Sequence, residues 1–310
     1  PVLYGMIDPF AETNQIRISR VFFGANGINN SLLSNDSISF SSVDVILELT
    51  DLNYIYYSME LEAWLIEKDS GLFSNEPYIA YELSAIPMNR FFSSVSQEGF
   101  THLKLQVVSD DLKEPAVVIE KVFKQPKIIQ PSRYETQLRL YSTSKRSTLI
   151  WDPPEDAGYH EVSFEVCYNE LVDGIVISKM IQWSLTSPIL SLDNTKQMVI
   201  DGDRFMRRIS IKLSGQHSQN IKKLTSVTLE VLSGSESAKD YFKSYSIAAD
   251  HNGQPISNVI NGLGVIGVYT KASMTDLELT ARALDSLVSG QITRHLRFVK
   301  YDIGGVGGEV

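Results

Sequence analysis

Glu60 and Glu62 are the residues whose type and spacing most directly suggest catalysis. They are two positions apart in a segment where Met59, Leu61, Ala63 and Leu65 alternate with other residues. On a β-strand, residues i and i+2 share one face about 7 Å apart, and paired carboxylates are the groups that hydrolyse glycosidic bonds. A solvated strand face also normally carries charge. We favour that second interpretation and keep a glycan-acting hydrolase as an alternative hypothesis.

Other catalytic and metal-binding patterns are absent from the sequence. It contains no nucleophile elbow, zinc-protease motif, phosphate-binding loop or dinucleotide fingerprint. The five histidines (His102, His160, His217, His251 and His295) are all more than five residues apart. Cys167, the single cysteine, lies in an apolar strand-like segment, which favours a buried structural thiol. We therefore predict no catalytic residues, no metal site, no cofactor and no enzymatic activity.

Four aromatic residues form the candidate binding site. Tyr54, Tyr56 and Tyr57 crowd a segment between two predicted strands, and Trp64 follows downstream. Tyrosines on a loop can stack on sugars or anchor a protein partner. Packing in the core or along a strand edge is the common alternative for such a cluster. We predict that these residues contact a ligand or partner.

The elements that must position these residues are mostly strands. Apolar residues alternate with others over many short segments, as in strands with one buried face. These segments are 43–50, 59–66, 103–108, 162–168 and 227–232, with further strands expected at 15–23, 79–83, 117–123, 136–141, 147–151, 175–183 and 292–299. Many short strands separated by turn residues are typical of β-sandwiches.

Helical spacing occurs only in the second half of the chain. Apolar residues recur at intervals of three and four, which predicts short helices near 203–214, 235–246 and 275–289. Two prolines in 125–133 favour an extended linker. We therefore expect an all-β sandwich domain at 1–128 and a β-rich domain with short helices at 129–310.

Composition excludes several protein classes. The 310 residues are 43% hydrophobic and 21% charged, which is globular composition. The net charge of −9 repels phosphate backbones, so nucleic-acid binding is not expected. A single cysteine rules out a disulfide framework within the chain. Residue 1 is proline rather than methionine, and we expect that a segment such as a signal peptide precedes it.

A local resemblance refines the expected fold class. Trp151 ends a predicted strand before Pro153-Pro154, and the strand at 162–168 follows. This arrangement resembles an early strand of fibronectin type III domains, in which the tryptophan belongs to the core. The predicted fold is mainly β, with tandem immunoglobulin- or fibronectin III-like sandwich domains.

A wider resemblance covers nearly the whole chain. Its motifs are Pro1-Val2-Leu3-Tyr4-Gly5-Met6-Ile7-Asp8-Pro9, Gln15-Ile16-Arg17-Ile18-Ser19-Arg20-Val21-Phe22-Phe23-Gly24 and Ile260-Asn261-Gly262-Leu263-Gly264-Val265-Ile266-Gly267-Val268-Tyr269, followed by a helix containing Leu284-Asp285-Ser286-Leu287. They resemble a family of Bacteroidota lipoproteins that are often encoded beside TonB-dependent outer-membrane receptors.

The resemblance implies a location and a class of partner. Members of the family have a lipoprotein signal peptide and a lipidated cysteine, which here would lie upstream of Pro1. Their biochemical role is largely unassigned, and no catalytic residues carry over. The leading expectation is an outer-membrane lipoprotein that binds a ligand or partner beside a TonB-dependent receptor. A structural or adhesion module is the first alternative, and the glycan-acting hydrolase is the second.

Overall fold

The chain is mainly β in the computed structural model. The structure describes residues 1–20, 40, 42–66, 78–84, 101–141, 146–185, 189–190, 197–214, 220–246 and 257–303. Within these ranges, no helix is long and apolar enough to cross a membrane. The predicted mainly-β class with few helices is confirmed.

Seventeen strands lie within the described ranges. Those in the first part of the chain are β1 (Val2–Ile7), β2 (Thr13–Ser19), β3 (Asp44–Thr50), β4 (Ile55–Glu60), β5 (Glu62–Ile66), β6 (Tyr78–Ser84), β7 (His102–Val108) and β8 (Ala116–Lys121). The others are β9 (Lys127–Gln130), β10 (Gln137–Leu138), β11 (Arg146–Asp152), β12 (Tyr159–Val172), β13 (Ile175–Ser184), β14 (Ile189–Leu190), β15 (Gln197–Asp201), β16 (Lys222–Gly234) and β17 (Leu263–Leu279).

The described helices are few and short. They are α1 (Gly202–Leu213), α2 (Glu236–Ser246), α3 (Ala281–Ser289) and one 3₁₀ turn at Arg294–Leu296. Asp201 caps α1 by accepting a hydrogen bond from the Arg204 amide at 3.0 Å. Ser235 caps α2 by accepting one from the Ala238 amide at 3.1 Å. The helices predicted at 203–214 and 235–246 are confirmed.

The chain forms two compact units. Unit 1 contains residues 1–124, 155–159 and 234–270, and unit 2 contains residues 125–154, 160–233 and 271–310. The chain first passes from unit 1 to unit 2 between Lys124 and Gln125, close to the expected boundary at residue 128. The units are not contiguous segments, however, because residues 234–270, with helix α2, belong to unit 1. Strand β17 begins in one unit and ends in the other.

Unit 1 contains two sheets around one hydrophobic cluster. The first has the order β17-β1-β2-β6-β5, and the second has the order β4-β3-β7-β8. Leu3 and Ile16 from the first sheet and Leu47 and Leu105 from the second are fully buried in the shared cluster. Strands β1 and β17 pair in parallel, with Val2 opposite Leu263 and Ile7 opposite Val268. The segments at 1–9 and 260–269, which carry part of the family resemblance, are therefore direct neighbours in the sheet.

The segment at 59–66 is not one continuous strand, as its alternation predicted. It breaks at Leu61, which is buried and whose amide donates to the Val45 carbonyl at 2.8 Å. Before this break β4 pairs with β3, and after it β5 pairs with β6 in the other sheet. Alternation cannot report the break because the apolar residues continue through it.

Unit 2 is built on a larger aromatic core. Its strands follow the order β13-β12-β16-β17, and a second sheet has the order β15-β11-β9. Phe205 on α1 lies 5.1 Å from Phe164 and 5.4 Å from Trp183, measured between ring centroids. Trp151 is fully buried, which confirms its expected place in the core.

Three sequence predictions in unit 2 need correction. The helix expected at 275–289 begins only at Ala281, because β17 continues to Leu279 with Leu277 and Leu279 buried at a spacing of two. The strand expected at 292–299 is a 3₁₀ turn followed by a single bridge at Phe298. The strand expected at 136–141 contains only Gln137–Leu138.

In the strand predicted at 15–23, residues 21–23 lie outside the described ranges.

Candidate functional site

Tyr54 lies in the hydrogen-bonded turn between β3 and β4, and Tyr56 is the second residue of β4. The Asp51 carboxylate accepts hydrogen bonds from the Asn53 amide at 2.9 Å, the Tyr54 amide at 2.7 Å and the Tyr56 hydroxyl at 2.9 Å. Thr50 donates its hydroxyl to the Tyr54 carbonyl at 2.8 Å. The two tyrosine rings meet edge to face with centroids 5.0 Å apart. Hydrogen bonds therefore hold the Tyr54 backbone and the Tyr56 hydroxyl, and the two rings contact each other.

The same hydrogen bonds stabilise the charged form of the Asp51 side chain. The amides of Tyr54 and Asn53, followed by the Tyr56 hydroxyl, lower the pKa of Asp51 below its usual value because they stabilise the carboxylate. Leu52, at the tip of the turn, has the left-handed φ of +78°. Tyr54 is 64% exposed, and Leu52 and Ile55 are also exposed. We call Leu52, Tyr54, Ile55 and Tyr56 the aromatic turn.

The structure separates the four predicted binding residues. Tyr54 and Tyr56 remain together in the aromatic turn. Tyr57 faces the other way, opposite Leu49, and packs against the hydrophobic cluster of unit 1. Trp64, which is 51% exposed, lies on β5 in the other sheet. Because the strand breaks at Leu61, sequence proximity does not bring Trp64 to the tyrosines.

Trp64 instead ends a row of side chains across the outer face of the first sheet. Tyr4 on β1 is opposite Arg17 on β2, Arg17 is opposite Ala80 on β6, and Ala80 is opposite Trp64. Residues that are directly opposite in a sheet share a face. Tyr4 is also exposed, so the row has an exposed aromatic ring at each end, with Arg17 and the small, buried Ala80 between them.

A groove of about 440 Å³ lies over the part of this row that contains Tyr4, Arg17 and Ala80, and Trp64 lies beyond it on the same face of the sheet. Its walls include Tyr4, Met6, Tyr78 and Tyr241, and its lining also contains Gln15, Arg17 and Ala80. The Arg17 guanidinium lies 5.0 Å from the centre of the Tyr78 ring, a cation–π contact that orients both groups. We call this the outer-face groove. Sequence reasoning missed it because its residues come from four separate elements.

Helix α2 supplies the Tyr241 wall of the groove. The helix comes so close to β17 that a Cβ on Gly267 would lie 2.6 Å from the Ala238 Cα and 2.9 Å from the Met6 sulfur. Only glycine allows this approach without displacing the helix.

Glu60 and Glu62 do not form the carboxylate pair that the sequence suggested, and Glu62 is paired with Glu82 instead. Glu60 ends β4 and Glu62 begins β5, so the two exposed glutamates lie in different sheets and do not share a strand face. Glu62 is instead opposite Glu82 on β6, one row along from Trp64 and Ala80. Gln15, next in that row, donates its amide to Glu82 at 3.3 Å.

Three buried polar residues of unit 2, His160, Glu170 and Lys222, contact other polar side chains. His160, which is 4% exposed, has its Nδ1 2.8 Å from the hydroxyl oxygen of the fully buried Ser233. Burial lowers the pKa of His160 to about 4. Although a serine and a histidine in contact could form a nucleophile and base, both are closed off from solvent. Lys222 and Glu170 form an ion pair at 3.1 Å with both side chains buried.

Cys167 is a free thiol that is half-buried rather than mostly buried, because it lies on the face of β12 opposite the core residues Val166 and Tyr168. Burial raises its pKa, and the nearby Glu165 and Asp276 act in the same direction, while a hydrogen bond with Ser226 opposes them. Within the described residues, no group of three or more His, Cys, Asp or Glu side chains could hold a metal ion.

Comparison with known proteins does not identify the chain. Neither protein-family models nor curated protein sequences give a match.

Proposed function

We propose that this chain is a binding protein of the bacterial outer membrane and not an enzyme. In this proposal it is anchored by a lipidated cysteine upstream of Pro1, and it binds a TonB-dependent receptor through the aromatic turn. The family resemblance supplies the location and the class of partner. We also propose that both units are sandwich domains of the immunoglobulin or fibronectin III kind.

The observation that carries the proposal is the set of hydrogen bonds that organises the aromatic turn. Exposed tyrosines are frequent anchors of protein interfaces. Here Asp51 accepts three hydrogen bonds that fix the backbone and the Tyr56 hydroxyl before any partner arrives. A surface that is already ordered loses less conformational entropy on binding. Leu52 and Ile55 extend the apolar area beside the rings.

The partner can be tested with the TonB-dependent receptor that the resemblance leads us to expect beside the gene. Purified receptor in detergent should bind the immobilised wild-type chain, and the double variant Tyr54→Ala/Tyr56→Ala should weaken binding at least about tenfold, the effect of losing a hot-spot residue. Tyr134→Ala, which removes an exposed tyrosine from unit 2, should leave the affinity unchanged. Equal binding by the wild type and the double variant would contradict the proposal.

The lipid anchor requires a separate test. In the full-length precursor, the expected upstream cysteine would be changed to serine and the cells fractionated. The variant should leave the outer-membrane fraction, because acyl chains contribute about 0.8 kcal/mol of membrane binding per buried CH₂. A reading frame without such a cysteine, or unchanged partitioning, would refute the anchored location.

A further inference from the structure

We propose that the outer-face groove of unit 1 binds a neutral oligosaccharide. This activity is independent of receptor binding by the aromatic turn, because the groove and the turn belong to different sheets of unit 1.

The aromatic side chains fit the apolar faces of sugar rings. A pyranose ring has C–H groups on its faces and hydroxyl groups around its rim. Tyr4 and Trp64 are at the two ends of the cross-strand row, and Tyr78 and Tyr241 line the groove near it. Tyrosine and tryptophan combine a flat apolar surface with a polar group, so they can accept a ring face and still meet hydroxyl groups.

The polar side chains fit the hydroxyl rim. Arg17 is held over Tyr78 within the groove and offers donors in one plane. In the next row Gln15, Glu82 and Glu62 offer an amide and two carboxylates. Carboxylates accept hydrogen bonds from several directions, which suits a ligand with many O–H donors.

The charges favour a neutral ligand. Glu62 and Glu82 are directly opposite one another, an arrangement that costs stability in a sheet when nothing binds between or beside the carboxylates. The lining of the groove itself carries the cation Arg17, whose guanidinium is held over Tyr78, and the two carboxylates lie beside the groove near Trp64. This pair and the chain's net charge of −9 would repel a phosphate, sulfate or uronate group there. Hydroxyl groups would instead be attracted to the two carboxylates.

The dimensions favour a short oligosaccharide over a protein or a single sugar. Three strand spacings separate Tyr4 from Trp64, which is about 14 Å. One sugar ring cannot contact both ends of a row of that length. The groove volume of about 440 Å³ is in the range of small-ligand sites. A protein partner would need a much larger surface, on the order of 800 Å² on each side.

Tryptophan fluorescence provides a direct measurement. The chain has three tryptophans, and Trp151 and Trp183 are buried in unit 2. Changes in emission and in quenching by acrylamide therefore report mainly on Trp64. The purified chain would be titrated with neutral hexasaccharides of the cello, malto, xylo and manno series, and each response would be repeated by calorimetry.

The proposal predicts a specific pattern of binding. At least one hexasaccharide should bind and protect Trp64, whereas the matching monosaccharide and oligogalacturonate should not. Tyr4→Ala and Tyr78→Ala should each weaken binding at least about tenfold. Tyr134→Ala and the double variant of the aromatic turn should bind normally, so this test and the receptor test fail independently. Circular dichroism would confirm folding, and Trp64→Leu with calorimetry would replace any variant that does not fold.

Three results would overturn the proposal. They are no binding across the panel at millimolar concentration, unchanged affinity in Tyr4→Ala, Tyr78→Ala and Trp64→Leu, or equal binding of oligogalacturonate. Cleavage of a bound hexasaccharide would show that the groove is a catalytic site, which would contradict the proposed binding role.

Discussion

In unit 1 the Glu62 carboxylate and the Tyr4 and Trp64 rings lie on the outer face of a sheet, whereas in unit 2 the Glu170 carboxylate and the Trp151 and Trp183 rings are buried. Glu62, Tyr4 and Trp64 are exposed in unit 1. In unit 2 Glu170 is buried against Lys222, and Trp151 and Trp183 are core residues. The comparison teaches that residue type alone does not distinguish a binding surface from a structural one. Burial and the available partners decide the role of each side chain.

The ion pair of unit 2 gives the largest expected effect. Burial raises the pKa of Glu170, but hydrogen bonds from Lys179 and Lys222 and their charges outweigh this effect and hold the pKa below its usual value. Lys222→Met leaves a buried carboxylate with one cation fewer and should lower the free energy of unfolding by about 3 kcal/mol, measured in urea. Lys300→Met, which breaks the exposed pair with Asp285, should cost less than about 1 kcal/mol. Equal losses would show that burial does not distinguish the two pairs.

His160 should make unit 2 sensitive to acid. Its folded pKa of about 4 lies below the ordinary value of 6.5, so the unfolded chain binds the proton more tightly. The stability due to neutral His160 is complete above pH 6.5, decreases as the pH falls and is lost below pH 4. The loss amounts to about 3 kcal/mol.

His160→Gln should reduce this pH dependence in urea unfolding between pH 7 and 4. The difference from the wild type isolates His160 from the carboxylates that titrate in the same range. His295→Gln, at an exposed position, serves as the control and should follow the wild-type curve. If both variants follow that curve, His160 is not the buried neutral group described here.

Gly267 links stability to the outer-face groove in unit 1. In Gly267→Ala the added Cβ meets the Ala238 backbone at 2.6 Å, so helix α2 and Tyr241 must shift. We expect a loss of about 1–3 kcal/mol and weaker hexasaccharide binding. Gly262→Ala is the matched control, because its added Cβ meets the Val259 side chain at 2.7 Å and Gly262 does not line the groove. A similar decrease in affinity in both variants would mean that the position of α2 does not shape the groove.

The smallest effect on stability is expected at the aromatic turn. Asp51→Ala removes the acceptor for two amides and the Tyr56 hydroxyl. The amides of Asn53 and Tyr54 should exchange their hydrogens faster, and receptor affinity should fall, while the melting temperature changes least among these variants. Unchanged amide exchange would contradict the fixed geometry on which the proposed function depends.

The sequence by itself determined the local elements. Alternation located β3, β7 and β16, because each strand has one face against a core and a side-chain period of two. Spacing of three and four located α1 and α2. The tyrosines of the aromatic turn were also predictable, since a polar turn between two strands exposes its side chains.

Only the tertiary structure decided where Trp64, Glu60 and Glu62 belong. Their local pattern is that of a single strand, but Leu61 is buried and the chain changes sheets there. The outer-face groove likewise depends on which strands are neighbours and on how closely α2 approaches Gly267. Burial of Lys222 beside Glu170 depends on the contact between β12 and β16. Periodicity reports the two faces of one strand, whereas pairing and coverage are set by residues far away in the sequence.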